Sequence, residues 1–145
     1  PERMEDVFSA IVHSRMDVAA NMGATLADNS LSVIEKLKQI PVTYAENLIS
    51  LGYTGKVIVV QMFNLINVNK WLDQDPVQAI TALLSNSDQY QDRAEVIAVN
   101  IATAFRGAMF EYALNIGDHQ LFNRYSEEFF LKTSKNLVEN ILKQY

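Results

Sequence analysis

The sequence predicts an all-α protein, an antiparallel bundle of about six helices in which the last two are the longest. Three observations carry that expectation. Apolar residues recur every three to four positions along most of the chain. Only 3 Pro and 5 Gly interrupt its 145 residues. Sequence signals for starting and stopping helices stand at regular intervals between the periodic stretches.

The first helix is read from Glu2 to about Met22, where Met4, Val7, Phe8, Ile11, Met16 and Val18 recur near helical spacing and Gly23 offers a stop. After the turn cluster Asp28-Asn29-Ser30, Ser32 and Glu35 form a capping-box pattern. In that pattern the hydroxyl and the carboxylate each satisfy an orphan backbone donor at the start of the next helix. Pro41 falls inside this second helix and is expected to kink or interrupt it, because it removes a backbone donor and crowds the preceding turn. Gly52 closes the segment.

Lys56 to Phe63 is rich in β-branched residues and reads either as a buried strand or as a helix. The helix is favoured because the apolar pattern continues into Leu65, Ile66, Trp71 and Leu72, and because a lone strand would leave its backbone groups unpaired. Asp75-Pro76 marks the start of a short helix to Leu84, with an acidic cap and a proline where its missing donor costs nothing. A turn cluster at Ser85 to Asp88 follows, then one long helix from Asp88 to Asn115 ended by Gly117. Asp118 is expected to cap a last helix over His119–Lys143.

No repeat or linker divides the chain, so residues 1–145 are read as a single helical domain. It needs no disulfide or metal to fold, since a chain of this size buries roughly 68–70% of its unfolded surface. With no cysteine, thiolate metal sites and cysteine nucleophiles are excluded, and the composition fits a reducing, cytoplasmic setting. Apolar runs such as Val57–Val60 are far shorter than the ~20 residues a membrane span needs. The net charge of −5 opposes direct binding to a phosphate backbone.

The residues offer no catalytic constellation and imply no cofactor. His13 and His119 are far apart, and only a carboxylate such as Asp17 stands one turn from His13. Gly52-Tyr-Thr-Gly55 lacks the length and lysine of a phosphate loop. Glu127 and Glu128 are adjacent on a helix, so they point apart and suit the positive end of the helix dipole better than paired acid chemistry. The expectation is therefore a non-enzymatic protein.

Two patterns point to binding instead. Met16, Met62, Trp71, Phe105 and Met109 are candidates to line one apolar cavity, since methionine and aromatic side chains adapt to apolar ligands and a helix broken at Pro41 would leave room. The long helix is apolar on two sides. One side carries Ala94, Ile97, Ile101, Ala104, Phe105, Ala108 and Tyr112, and the other carries Val96, Val99, Phe110, Ala113 and Leu114. A helix apolar on two sides must be covered on two sides. With Phe129, Phe130, Val138 and Leu142 of the last helix, Val96, Val99, Phe110 and Leu114 form a candidate homodimer interface, and Ala98, Ala102, Ala104, Gly107 and Ala108 would admit a close helix.

Three segments resemble parts of the tetracycline-repressor (TetR/AcrR) family of transcription regulators. Pro1-Glu-Arg-Met-Glu-Asp-Val-Phe-Ser-Ala-Ile-Val-His13 is similar to that family's linker helix, and Asn29-Ser-Leu-Ser-Val-Ile-Glu-Lys-Leu37 to the start of its next long helix. Ile101-Ala-Thr-Ala-Phe-Arg-Gly-Ala-Met-Phe-Glu-Tyr-Ala113, with Asp118 and Phe122 to Leu142, resembles its last two helices, which pair with their copies in a four-helix bundle. The resemblance implies a small-molecule-sensing, dimerising domain of a repressor that stands apart from its helix-turn-helix head, the head being the part that reads DNA. The other reading is an acidic helical interaction module, adaptor- or effector-like, that offers an apolar groove to a partner protein.

Overall fold

In a computed structural model, which describes residues 4–64, 76–114 and 126–145, the protein is all-helical. The described elements are α1 (Met4–Ala27), α2 (Val33–Ser50), α3 (Tyr53–Asn64), α4 (Pro76–Ser85), α5 (Ala94–Leu114) and α6 (Glu127–Leu142). A single 3₁₀ turn, Gln91–Arg93, leads into α5.

Local chemistry accounts for most boundaries. At α2 the capping box forms in both directions: Ser32 Oγ accepts from the Glu35 amide at 3.1 Å, and the Ser32 amide donates to Glu35 Oε2 at 2.9 Å. Just before it, Asp28 Oδ1 accepts from the Ser30 hydroxyl at 2.6 Å and the Ser30 amide at 2.9 Å, and these bonds hold its carboxyl below the usual carboxylate range. Gly52, at φ 59°, ends α2 in the left-handed conformation that only glycine adopts without cost. Pro76 opens α4, where a missing amide hydrogen does no harm. At α6 the Ser126 hydroxyl accepts from the Phe129 amide at 3.1 Å, with Glu127 and Glu128 in the first turn against the positive end of the helix dipole.

Several expectations need correction. Pro41 does not interrupt α2, which runs through it to Ser50; the ring denies one hydrogen bond to the Leu37 carbonyl, and burial of Leu37, Ile40, Val42, Ala45 and Leu48 around it keeps the helix whole. Gly23 does not stop α1, which continues to Ala27 in open space around that glycine. As a result α1, at 24 residues, is the longest described helix, ahead of α5 with 21 and α6 with 16. The long helix starts at Ala94 and not at Asp88, because residues 88–93 form turns and the 3₁₀ segment. The ambiguous stretch from Lys56 is helix through Asn64. The expected boundaries at Asp75, Gly117 and Asp118 lie outside the described residues.

The core runs along α5. Ile97, Ala98, Ile101, Phe105, Met109 and Tyr112 are buried there and join Leu37, Ala45 and Leu48 from α2, Ile58 and Val59 from α3, Ile80 and Leu84 from α4, and Phe130, Leu137, Val138 and Leu142 from α6 in one apolar cluster. The α2–α3 corner is tight, since a Cβ on Gly55 would stand 2.2 Å from the Leu48 carbonyl oxygen. No described helix is long and apolar enough to cross a membrane.

Candidate functional site: the two faces of α5

The inner face of α5 builds an aromatic ladder. Phe105, Met109 and Tyr112 recur at i, i+4 and i+7, which places them on one side of the helix. Phe105 stands 6.0 Å from Tyr44 of α2 and 6.0 Å from Phe130 of α6 between ring centroids, and Phe130 stacks on Tyr112 at 4.7 Å with only 15° between the planes. The Lys56 ammonium of α3 lies 5.1 Å from the centre of the Tyr112 ring, a cation–π contact. Tyr112 of α5 is thereby held by two other helices, α3 and α6.

The Tyr112 oxygen is buried and has no hydrogen-bond partner, a condition it shares among the described residues with the Thr81 hydroxyl. Burial, reinforced by the negative charge of Glu127, pushes the Tyr112 phenol up to about 12, so it stays a protonated donor at neutral pH.

The residues expected to line one cavity are not all brought together. Phe105 and Met109 share the inner face of α5, whereas Met16 lies on α1 with 63% of its surface exposed and takes no part. Its position on a helical apolar pattern was misleading because α1 buries Val18 instead. The Met62 side chain and Trp71 lie outside the described residues.

The outer face of α5 is different. Val96, Val99, Phe110 and Leu114 are all exposed, and between them Thr103, Ala104 and Gly107 keep the surface low. Ala113, expected on this side, is buried, while Ala98 and Ala102 serve the chain's own core. On α6 the interface expectation divides. Phe129 is exposed, but Phe130, Val138 and Leu142 are buried inside the chain and are core residues, not interface residues. The reason is Ser134, which is fully buried in the middle of the α6 core stripe, its hydroxyl donating to the Phe130 carbonyl at 2.8 Å. That polar letter disguises Phe130, Ser134, Leu137, Val138 and Leu142 as something other than one continuous inward face.

Tyr145 borders the outer face at its N-terminal end. Arg93 donates to the Tyr145 carbonyl at 3.0 Å and lies 5.5 Å from the centre of its ring, while the Asn100 amide donates to the Tyr145 hydroxyl. Among the described residues no three His, Cys, Asp or Glu side chains cluster as a metal site would require. His13, one turn from Ser9, has its Nδ1 2.9 Å from the Ser9 carbonyl oxygen, an ordinary intrahelical contact.

Comparison with known proteins yields no relative: no protein-family model, no curated protein and no solved structure matches the chain.

Proposed function

We propose that this chain is a non-enzymatic regulatory domain that forms a homodimer through the outer face of α5 and responds to a small apolar molecule held against the inner one. The observation that carries the proposal is the exposure of Val96, Val99, Phe110 and Leu114 on a helix whose opposite side is already the core of the chain. Such a stripe is about 27 Å long at 1.5 Å rise per residue. Leaving that much apolar surface in water is unfavourable by roughly 25 cal/mol per Å², and pairing with an identical copy is the commonest symmetric remedy.

A specific interface buries about 800 Å² on each partner, so Phe129 and the polar residues flanking α5 would have to contribute as well. The order of helices and the likeness of residues 101–113 to the pairing helices of tetracycline-type repressors support the same reading, in which the chain is the sensor part of a transcriptional repressor and makes no direct contact with DNA. Its acidic charge agrees with the last point.

The test is the mass of the particle in solution. Light scattering is expected to find a dimer at micromolar concentration, and Val99→Lys or Leu114→Glu is expected to return a folded monomer. A chain that is monomeric at high micromolar concentration would remove the dimer and leave an interaction module for a different protein as the better reading.

A further inference from the structure

Four apolar side chains on one helix make a small interface. Val96, Val99, Phe110 and Leu114 are between 45% and 57% exposed, so each offers a partner on the order of 100 Å² or less. A specific interface buries about 800 Å² on each partner, roughly twice what the stripe supplies. The remainder has to come from groups that border the stripe and present apolar or planar surface.

Tyr145 is placed to supply part of it. After Leu142 the chain turns back on itself, with the Gln144 amide donating to the Ile141 carbonyl at 3.0 Å and the Tyr145 amide to the Leu142 carbonyl at 3.1 Å. The side chains of α6 face inward at Phe130, Leu137, Val138 and Leu142, yet this turn brings Tyr145 to the start of α5. There Arg93 donates to its carbonyl at 3.0 Å and stands 5.5 Å from the centre of its ring, and the Asn100 amide donates to its hydroxyl. Arg93 and Asn100 are seven residues apart, and exposed Val96 lies between them, about one turn from each. Tyr145 thus sits along the edge of the apolar stripe, half-buried against the core cluster. Its backbone, ring and hydroxyl are each engaged, so its rotamer freedom is already restricted in the free chain and pairing through it loses less entropy than pairing through a free side chain. Tyrosine and arginine are also among the side chains that most often dominate protein interfaces.

We propose that Tyr145, held by Arg93 and Asn100, is an anchor of the interface between two copies of this chain and widens the outer face of α5 beside Val96. This rests on the dimer proposed above and adds to it a residue that belongs to neither α5 nor the inward face of α6. Because Tyr145 follows directly on α6, whose other side chains pack in the core, the strength of pairing depends on how α6 is seated.

The experiment reads the accessibility of single tyrosines. Tetranitromethane nitrates exposed tyrosine rings, and mass spectrometry of digested protein reports each site. The full chain is treated below and above the concentration at which light scattering finds it half dimeric, with Tyr53, 65% exposed on α3, as the internal reference. Nitration of Tyr145 is expected to fall about threefold or more on pairing, since an interface anchor is shielded from water, while Tyr53 is unchanged. Tyr145→Ala is expected to raise the dimer Kd about tenfold, equivalent to ~1.4 kcal/mol. The nitration arm uses the unaltered chain, so it decides the matter even where Tyr145→Ala fails to fold. Equal nitration of Tyr145 in monomer and dimer, protection of Tyr53 to the same degree, or a Tyr145→Ala chain that folds and pairs as tightly as the parent would each overturn this anchor and leave the dimer standing. A chain that is monomeric at every concentration overturns both.

Discussion

Tyr112 and Phe130 stack with their ring centres 4.7 Å apart and their planes 15° from parallel, and this pair joins α5 to α6 in the interior of the chain. Both rings are almost fully buried, and each also meets a further side chain: Tyr112 the ammonium of Lys56 on α3, Phe130 the ring of Phe105 on α5. Phe130 is therefore a structural residue whose neighbour Phe129, one helical step away, faces water.

That contrast predicts opposite outcomes for two adjacent substitutions. Phe130→Ala should destabilise the chain by about 3–5 kcal/mol, the usual loss for a buried phenylalanine that leaves a cavity. At protein concentrations low enough to suppress pairing, Phe129→Ala should change stability by less than ~1 kcal/mol. Urea denaturation of the two variants decides the assignment, and equal losses would contradict it.

The same pair shows what was legible in the sequence. Helix type, the capping box at Ser32 and Glu35, and the proline start at Pro76 follow from local chemistry, and the structure contains them. The two-sided apolarity of α5 was legible as well, because its inner stripe of Ile97, Ile101, Phe105 and Tyr112 is strictly periodic. The division of α6 was not, since the fully buried Ser134 satisfies itself on its own helix and so behaves as an apolar residue. The orphaned Tyr112 hydroxyl was also out of reach, because whether a donor finds a partner depends on three helices distant in sequence.

Glycine substitutions should separate by environment. A Cβ at Gly55 meets the Leu48 carbonyl oxygen at 2.2 Å, and backbone cannot move aside cheaply, so Gly55→Ala is expected to cost about 1–3 kcal/mol or more. Gly107 lies in the interior of α5 with nothing within 4 Å of such a Cβ, so in a monomer Gly107→Ala should stabilise by about 0.5–1 kcal/mol. Thermal melts of both variants, taken at low protein concentration to suppress pairing, test the contrast.

Tyr112 should also make stability fall at alkaline pH. Its phenol ionises at an ordinary value of 10.0 when unfolded and near 12 when folded, so between those values the folded state holds a proton that the unfolded state has released. Folding stability contributed by this group is complete below pH 10 and declines as pH rises towards 12. Denaturation midpoints measured across that window should drop more steeply for the wild type than for Tyr112→Phe, and parallel curves would show that Tyr112 does not carry the effect.

The dimer proposed for α5 makes a prediction about direction. Its outer face is bulky at the C-terminal end, at Phe110 and Leu114, small in the middle, at Thr103, Ala104 and Gly107, and of medium size at Val96 and Val99. An antiparallel pair crossing near the middle places each bulky end on the medium-sized end of its copy and lets the backbones approach where the side chains are small. It also opposes the two helix dipoles, whereas a parallel pair would align them. Because the chain has no cysteine, Val96→Cys and Leu114→Cys variants report the direction without background. In the antiparallel pair two copies of position 96 stand about 27 Å apart along the helices, well beyond disulfide reach, while positions 96 and 114 of opposite chains come together. Mild oxidation of the two variants mixed should therefore give the mixed disulfide, and neither variant alone should cross-link. Efficient cross-linking of each variant with itself would establish the parallel arrangement instead.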